Sequence, residues 1–468
     1  MAITIRKEPP ATILGTQQDI LYVLTSNSSS NDNYTFNMDV CNEDGNLVQR
    51  FTQTPNIDGI GVFNANSYFQ RQAEIPTGDT NFWVSDFALN FNQIKRNQIK
   101  FSEAWSDTPG GEIVYYNGID DTELGGSTPG GVSGSNLSNG DPNNYFIPAV
   151  VNRNEQLDEN FKVTDFYLQG TGATGTKLWL TDMPRNDIEI YSEDFMLLGA
   201  FFGPKESGSA IYNDIWKVKM DTFEADGTAN NSYENQNWST GGGDNPNSIR
   251  VAQATNFSAI EDSFFDDGKW DNRFAFYGVG PGNMNGYTAD ADDATAKITV
   301  TGYNAGAETS ALSDVLNFKI MDNVCDVYDR YRLCWVNKYG ALDWFNFRGR
   351  SRYNVNRSDT QFRQGFVNYS LESGTADPYD ISRRGQKNFV STPKQRIQVS
   401  TKFLTQDWAN FLEGLFVSPS VYLQYDQLTM IPIVLTSATY TKKDDPRSEK
   451  LKQYNVQFEY ANPQRSRV

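Results

Sequence analysis

A strand-and-turn phrase that occurs twice constrains the fold of this chain more than any other feature. In "YTFNMDVCNEDGNLVQRF" (residues 34–51), apolar and polar side chains alternate, an Asn-Glu-Asp-Gly turn follows, and an apolar stretch returns. Alternation with a period of two predicts a half-buried strand, and the turn predicts a β-hairpin. The phrase "WKVKMDTFEADGT" begins 182 residues later, at Trp216, with the same Met-Asp and Asp-Gly pairs. We therefore expect two copies of one sandwich-like module.

The composition also favours a mainly β fold. The chain has 30 Phe, 24 Tyr and 37 Gly, whereas long helical periodicities are scarce. Aromatic residues are enriched in strands, and Gly supplies the tight turns between them. We expect tandem, Ig-like β-sandwich domains with long loops. The expected boundaries are 1–200 for the first module, 201–347 for the second, and 348–468 for a C-terminal β domain.

One amphipathic helix is expected in the C-terminal domain, over residues 405–416. Thr405 is a suitable N-cap, and apolar residues recur after it at helical spacing. These apolar residues are Trp408, Phe411, Leu412 and Leu415. Three strand-like segments follow the helix. Before the domain, residues 331–347 have the pattern of a hairpin whose aromatic side chains anchor a core.

Two polar stretches, 117–144 and 225–247, are rich in Gly, Ser and Asn. Neither contains enough apolar surface to fold alone, so both are expected to be long loops. Loops of this size on a β framework are often contact surfaces. Within the second stretch, Tyr233 and Trp238 are candidate aromatic platforms for binding a glycan.

Charge is divided unevenly along the chain. The formal net charge is −18. From Arg330 onward the chain has 21 Lys and Arg and 12 Asp and Glu. The residues before Arg330 have 19 Lys and Arg and 46 Asp and Glu. Such a division allows the basic part of one copy to dock on the acidic part of another. The alternative is an acidic solvated surface beside a mildly basic domain. The candidate subunit-contact residues are Arg348, Arg350, Arg352, Arg357, Arg465 and Arg467.

The arginine-rich segment around residues 348–357 alternates like an exposed strand or arm. Tyr353 lies within it, so contact with nucleic acid is conceivable. A contact between subunits is favoured instead, because the rest of the chain is acidic. Nucleic acid is therefore not an expected partner.

Catalytic chemistry finds little support in the residues. The chain has no histidine, which removes the commonest general base and metal ligand. A G-x-G-x-x-G spacing starts at Gly170, but the strand-like "KLWLTDMPR" follows it where a phosphate site requires a helix. We expect no enzyme activity, no cofactor and no metal. A hydrolase with two carboxylates is the alternative, since 58 acidic residues place some pairs close together.

Two acidic runs, at 261–270 and 290–293, contain the oxygen ligands that Ca²⁺ prefers. Both lack the spacing of an EF-hand loop. Solvated loops are therefore the preferred interpretation of these runs.

Membrane segments are not expected. The first residues contain no apolar stretch of signal-peptide length, and no apolar run of 18 residues occurs. These patterns predict a soluble protein without a membrane partner.

Four phrases resemble structural proteins in the virions of tailed bacteriophages. They lie at residues 34–70, 176–202, 328–347 and 408–461. The closing strand–helix–strand order is also similar to the tail-tube-like fold of tail tube and baseplate hub proteins. In that fold a β-sandwich with one flanking helix builds rings.

The resemblance implies a non-enzymatic virion component that forms a ring of copies in the tail, baseplate or neck. It also implies other virion proteins as partners and assembly in the host cytoplasm. A capsid-associated decoration protein, a head fibre or a protein that binds a host glycan receptor is the alternative.

Overall fold

The structure of the chain is a computed structural model. It describes the residues 3–7, 13–16, 19–41, 47–72, 82–83, 87–89, 95–106, 114–116, 144–147, 179–201, 214–236, 274–304, 307–311, 314–321, 327–363, 368–369, 376–377, 386–425, 429–436 and 452–462. Within these residues the chain is mainly β, which confirms the fold class expected from the composition. None of the helices found there is long and apolar enough to cross a membrane.

Two compact units divide the chain. The first comprises Met1–Asn323, Trp335–Asp343 and Val417–Pro419, and the second comprises Val324–Cys334, Trp344–Phe416 and Ser420–Val468. The boundaries expected near residues 200 and 347 stay predictions.

The described elements are mostly strands, with two α-helices of 7 and 12 residues, a 3-10 turn at Pro281–Asn283 and two helical residues at 82–83 among them. The elements up to residue 147 are β1 (Thr4–Lys7), β2 (Ile13–Gly15), β3 (Leu21–Thr25), β4 (Asp32–Cys41), β5 (Leu47–Gln53), β6 (Ile60–Asn64), α1 (Asn66–Gln72), β7 (Phe87–Leu89), β8 (Lys95–Ser106), β9 (Val114–Tyr116) and β10 (Asn144–Ile147). The next strands are β11 (Ile188–Tyr191), β12 (Leu197–Phe201), β13 (Asp214–Phe223), β14 (Ala229–Gln236), β15 (Phe274–Gly278), β16 (Thr295–Asn304), β17 (Ala307–Ala311) and β18 (Leu316–Met321). The last elements are β19 (Tyr331–Val336), β20 (Leu342–Phe347), β21 (Arg352–Arg363), β22 (Asn368–Tyr369), β23 (Ala376–Asp377), β24 (Gln386–Ser400), α2 (Gln406–Val417), β25 (Val421–Gln424), β26 (Met430–Leu435) and β27 (Asn455–Tyr460).

Two six-stranded sheets in the first unit have the same strand order. One runs β2-β10-β8-β4-β5 with β9 paired to β8, and the other runs β11-β18-β16-β13-β14 with β17 paired to β16. In each sheet the edge pair β2–β10 or β11–β18 is parallel. The remaining pairs are antiparallel. Every strand of one sheet therefore has a counterpart in the other.

The correspondence extends to single residues along β4 and β13, at an offset of 182. Met38 pairs with Phe51 on β5, and Met220 pairs with Tyr233 on β14. The turn between β13 and β14 uses Gly227 at a φ of 88°. A Gly is suited to this turn because the left-handed region is open to it without steric cost.

Two three-stranded sheets accompany the larger ones, in the orders β1-β3-β6 and β12-β15-β7. The antiparallel pairs β3–β6 and β12–β15 correspond. After each pair the chain makes the same backbone bond: the amide of Ala65 donates to the carbonyl of Ile20 at 3.0 Å, and that of Val279 donates to Met196 at 2.8 Å. The repeated sequence phrase thus lies in a repeated arrangement of strands.

Strand β4 is buried on both faces, so the prediction of a half-buried strand is wrong. Asn37, Asp39 and Cys41, on the face expected to meet solvent, are 1%, 0% and 0% exposed. Arg50 on the adjacent strand β5 explains how the buried carboxylate of Asp39 is tolerated. It donates Nε and Nη2 to the two carboxylate oxygens of Asp39 at 2.5 and 2.8 Å. Paired in this way, a buried carboxylate keeps its hydrogen bonds.

A seven-stranded sheet dominates the C-terminal part, in the order β20-β19-β25-β26-β27-β24-β21. Helix α2 buries Phe411, Leu412 and Leu415. Its Trp408 packs against Phe345 of β20, with ring centroids 5.8 Å apart. The apolar spacing noted in the sequence therefore lies on the buried side of this helix.

Two expectations about irregular segments need correction. Residues 225–236 do not form a long loop, because a short turn leads directly into β14. Polar residues are accommodated in β14 because it is the edge strand of its sheet. Of the strand expected at 177–185, the described residues 179–185 form one bridge, between Trp179 and Ala200, followed by irregular backbone. The stretches 117–143 and 237–247 and the glycine-rich loop at 170–175 lie outside the described residues.

Candidate functional site

A two-stranded ribbon that leaves the C-terminal sheet is the most distinctive surface feature of the structure. Strand β27 pairs with β24 only from Ser400 to Arg396. Beyond that point β21 and β24 have no further strand partner among the described residues, and they pair with each other from Val355 opposite Gln395 to Arg363 opposite Gln386. We call residues Val355–Arg363 and Gln386–Gln395 the arm. At ~3.3 Å per residue the arm is about 30 Å long.

The arm exposes side chains on both of its faces. Val355 is 55% exposed, Phe362 45% and Phe389 69%. The two phenylalanine rings meet edge to face, with centroids 6.4 Å apart, and so cover little of each other. A two-stranded ribbon with no sheet or helix against it is marginally stable in water. The arm therefore has the properties of an element that is completed by a partner.

The arm carries a net positive charge. Arg357, Arg363, Lys387 and Lys394 stand against the single acid Asp359. Arg357 donates Nε to Asp359 Oδ1 at 2.6 Å, and Asn388 donates to the other oxygen of the same carboxylate at 3.1 Å. The negative charge is thus engaged within the arm. The remaining cationic groups are suited to an acidic partner surface.

The two edges of the arm differ in what they can pair with. Pro393 lies in β24 and has no amide hydrogen, so a strand ladder along that edge is interrupted there. Strand β21 contains no proline. The β21 edge is therefore the better place for an added strand.

The predicted subunit-contact arginines differ from one another in their exposure to solvent. Arg350 and Arg352 are exposed near the base of the arm, and Arg357 is exposed within it. Arg465 and Arg467 lie outside the described residues.

Arg348 does not fit the predicted contact, because it is 4% exposed. The neighbouring Gly349 explains this position. Its amide donates to the carbonyl of Ser400 at 2.9 Å, and a Cβ on Gly349 would lie 2.5 Å from that oxygen. The chain passes so close to β24 here that the side chain before Gly349 is enclosed. We remove Arg348 from the candidate set.

Tyr233, a predicted glycan platform, is half-buried on β14. Its ring packs edge to face with Tyr287, with centroids 5.0 Å apart. Burial raises the pKa of Tyr233, and the carboxylate of Asp293 adds to the effect. The first copy has the corresponding pair Phe51 and Tyr68 at 6.2 Å. The contact therefore belongs to the packing of both copies. Trp238 lies outside the described residues.

A buried polar cluster surrounds Asp343 in the first unit. Thr181 donates its hydroxyl to Asp343 Oδ1 at 2.5 Å, and Asn337 donates Nδ2 to the carbonyl of Leu180 at 2.7 Å. Tyr339 donates its hydroxyl to Asp182 at 2.6 Å. Burial raises the pKa of Asp343 to about 7, against a smaller lowering by its hydrogen bonds to Thr181 and Asn337. Asp343 is enclosed on all sides, so these contacts hold chain segments together and do not form a substrate site.

Comparison with known proteins adds no relative. No protein-family model matches the chain, and no curated protein matches it. Across the described residues, no group of three or more Asp, Glu or Cys side chains is arranged to hold a metal ion. The arm is therefore the feature on which a functional proposal can be built.

Proposed function

We propose that the chain is a non-enzymatic structural component of a tailed-bacteriophage virion, and that its copies assemble into a ring in the tail, baseplate or neck. The observation that carries the assembly part is the arm, a cationic ribbon that exposes side chains on both faces and whose outer edges pair with no other strand of the described residues. The virion part comes from the four sequence phrases that resemble such proteins.

The repeated strand order supports an assembly protein built from modules. We interpret the two matching six-stranded sheets, each with its three-stranded companion, as tandem β-sandwich modules. Strands β11 and β12 belong to the second set by their pairing. On this interpretation the second module begins before Ile188 and not at residue 201. The C-terminal sheet with helix α2 would be the tail-tube-like domain.

Charge complementarity supports another copy of the chain as the partner of the arm. The arm is cationic, whereas the residues before Arg330 hold 46 acidic against 19 basic side chains. An arm reaching an acidic face of the neighbouring copy would gain charge pairs and bury Val355, Phe362 and Phe389. Head-to-tail contacts of this kind close into rings when the rotation between copies permits.

Light scattering and negative-stain microscopy of the purified chain test the proposal. We expect one discrete multimer and ring-shaped particles at about 50 mM salt, and smaller species at about 500 mM salt, because salt screens contacts between exposed charges. A chain that stays monomeric at every concentration and salt level would contradict assembly through the arm. Identification of the chain in purified phage particles by mass spectrometry tests the virion part separately.

A further inference from the structure

Two carboxylates meet at one end of the second six-stranded sheet. Asp290 and Asp293 lie on the loop before β16, where the amide of Asp293 donates to the carbonyl of Asp290 at 3.2 Å. Asn230 of β14 donates Nδ2 to Asp290 Oδ2 at 3.4 Å and to Asp293 Oδ1 at 3.0 Å. The two acids therefore share one neutral amide.

Asp293 is the group that indicates a ligand. It is 6% exposed, and its Oδ2 has no hydrogen-bond partner in the described part of the chain. No Lys or Arg among the described residues forms an ion pair with Asp290 or Asp293. Burying a carboxylate oxygen without a donor is costly. A cation bound to the carboxylate of Asp293 would remove that cost.

A bulge shared by both copies of the module sets the position of Asn230. The pairing of β4 with β5 and that of β13 with β14 shift at matching places. Asn230 corresponds to Val48 at the offset of 182, so the first copy has an apolar side chain there. Bulges redirect side chains and recur at binding sites. Here the bulge brings an amide to the carboxylate pair in the second copy.

We propose that Asp290, Asp293 and Asn230 form a binding site for a divalent cation, with Ca²⁺ as the preferred ion. A half-turn of the Asn230 amide replaces its donor by the oxygen Oδ1, which completes a set of oxygen ligands. Ca²⁺ accepts six to eight oxygens, including backbone carbonyls and water, in irregular geometry. Mg²⁺ requires a near-octahedral shell, and Zn²⁺ prefers His and Cys ligands.

The ligand set also bounds the affinity. Only two carboxylates converge, which is consistent with the lack of any described group of three acidic or Cys side chains arranged for a metal. Sites with few charged ligands bind Ca²⁺ with a Kd of about 10⁻⁴–10⁻³ M. The site is independent of the proposed virion role and of the arm.

Titration of the full chain with TbCl₃ tests the site, because Tyr233 and Tyr287 lie beside it and can sensitise Tb³⁺ luminescence. We expect saturable emission that CaCl₂ displaces at about 10⁻⁴–10⁻³ M, and that MgCl₂ displaces at least about tenfold less effectively. Asp290→Asn, Asp293→Asn and Asn230→Val should each remove most of this displaceable signal. Asn230→Val gives the second copy the residue found in the first.

Asp187→Asn is the matched control, since Asp187 is an exposed acid of the same unit that lies outside the cluster. It should leave the titration unchanged. If Asp293→Asn fails to fold, the exposed Asp290 still decides the question through Asp290→Asn. Emission that Ca²⁺ does not displace, or that survives both Asp290→Asn and Asn230→Val, would overturn the proposal.

Discussion

At the residue scale, buried charges explain where sequence patterns mislead. Asp39 and Arg348 occupy positions that alternation assigns to solvent, yet both are buried. Asp39 is tolerated because Arg50 pairs with both of its oxygens, and Arg348 is enclosed because Gly349 lies against β24. The pairing of Asp39 with Arg50 depends on the register between two strands, and the enclosure of Arg348 depends on a close backbone approach. A local pattern contains neither kind of information, so these positions could not be predicted from it.

The raised pKa of Asp343 predicts how the stability of the folded chain depends on pH. Its pKa in the folded chain is about 7, above the ordinary value of 3.8 for an aspartate. Between these values the folded chain keeps a proton that the unfolded chain has lost, so stability should fall as pH rises from about 4 to 7. Asp343→Asn cannot ionise and should lack this fall, which amounts to at most about 4 kcal/mol.

Urea unfolding at several pH values between 4 and 8 measures the effect. The exposed Asp187→Asn variant should follow the wild-type chain. If Asp343→Asn shows the same pH dependence as the wild-type chain, Asp343 is not the titrating group.

At the element scale, the repeated sequence phrase predicts two hairpins correctly, because the signals that mark a hairpin are local. Period-two alternation and the Asp-Gly turn are local properties, and they mark the hairpins β4–β5 and β13–β14. The polar residues of the return strand β14 predict a loop, whereas an edge strand accommodates them equally well. The parallel pairs β2–β10 and β11–β18 join segments far apart in sequence, so no local signal indicates them.

The two copies provide a matched pair of mutations. Asp39 and its counterpart Asp221 occupy the same position, but Asp39 is fully buried against Arg50, whereas Asp221 pairs with Lys219 at 2.9 Å near the surface. Asp39→Ala should cost about 3–5 kcal/mol, because it removes the buried carboxylate that accepts two hydrogen bonds from the guanidinium of Arg50. Asp221→Ala should cost at most about 1 kcal/mol. Urea unfolding of both variants compares the costs, and equal costs would contradict the burial difference between the copies.

At the scale of the whole molecule, the uneven division of charge and the cationic arm both support the proposal that copies of the chain associate through the arm. The division between an acidic and a basic part is visible in the sequence, and the arginine-rich segment indicated an exposed strand or arm. The length of the arm was not predictable, because β24 pairs with β27 along one part and extends alone along the other. Only the tertiary arrangement shows where a sheet ends and a free ribbon begins.

Shortening the arm tests the central claim most directly. Asn356 and Lys394 are paired across the ribbon, so replacing residues 357–393 by Asn-Gly joins them through a two-residue hairpin turn. The mass of this variant and of the wild-type chain is measured by light scattering at low salt. Thermal unfolding at about 500 mM salt, where the wild-type chain should also be dissociated, is the control for correct folding, because association itself raises the unfolding temperature. We expect a multimeric wild-type chain and a monomeric variant at low salt, with equal unfolding temperatures at high salt. A shortened variant that assembles as the wild-type chain does would contradict the account.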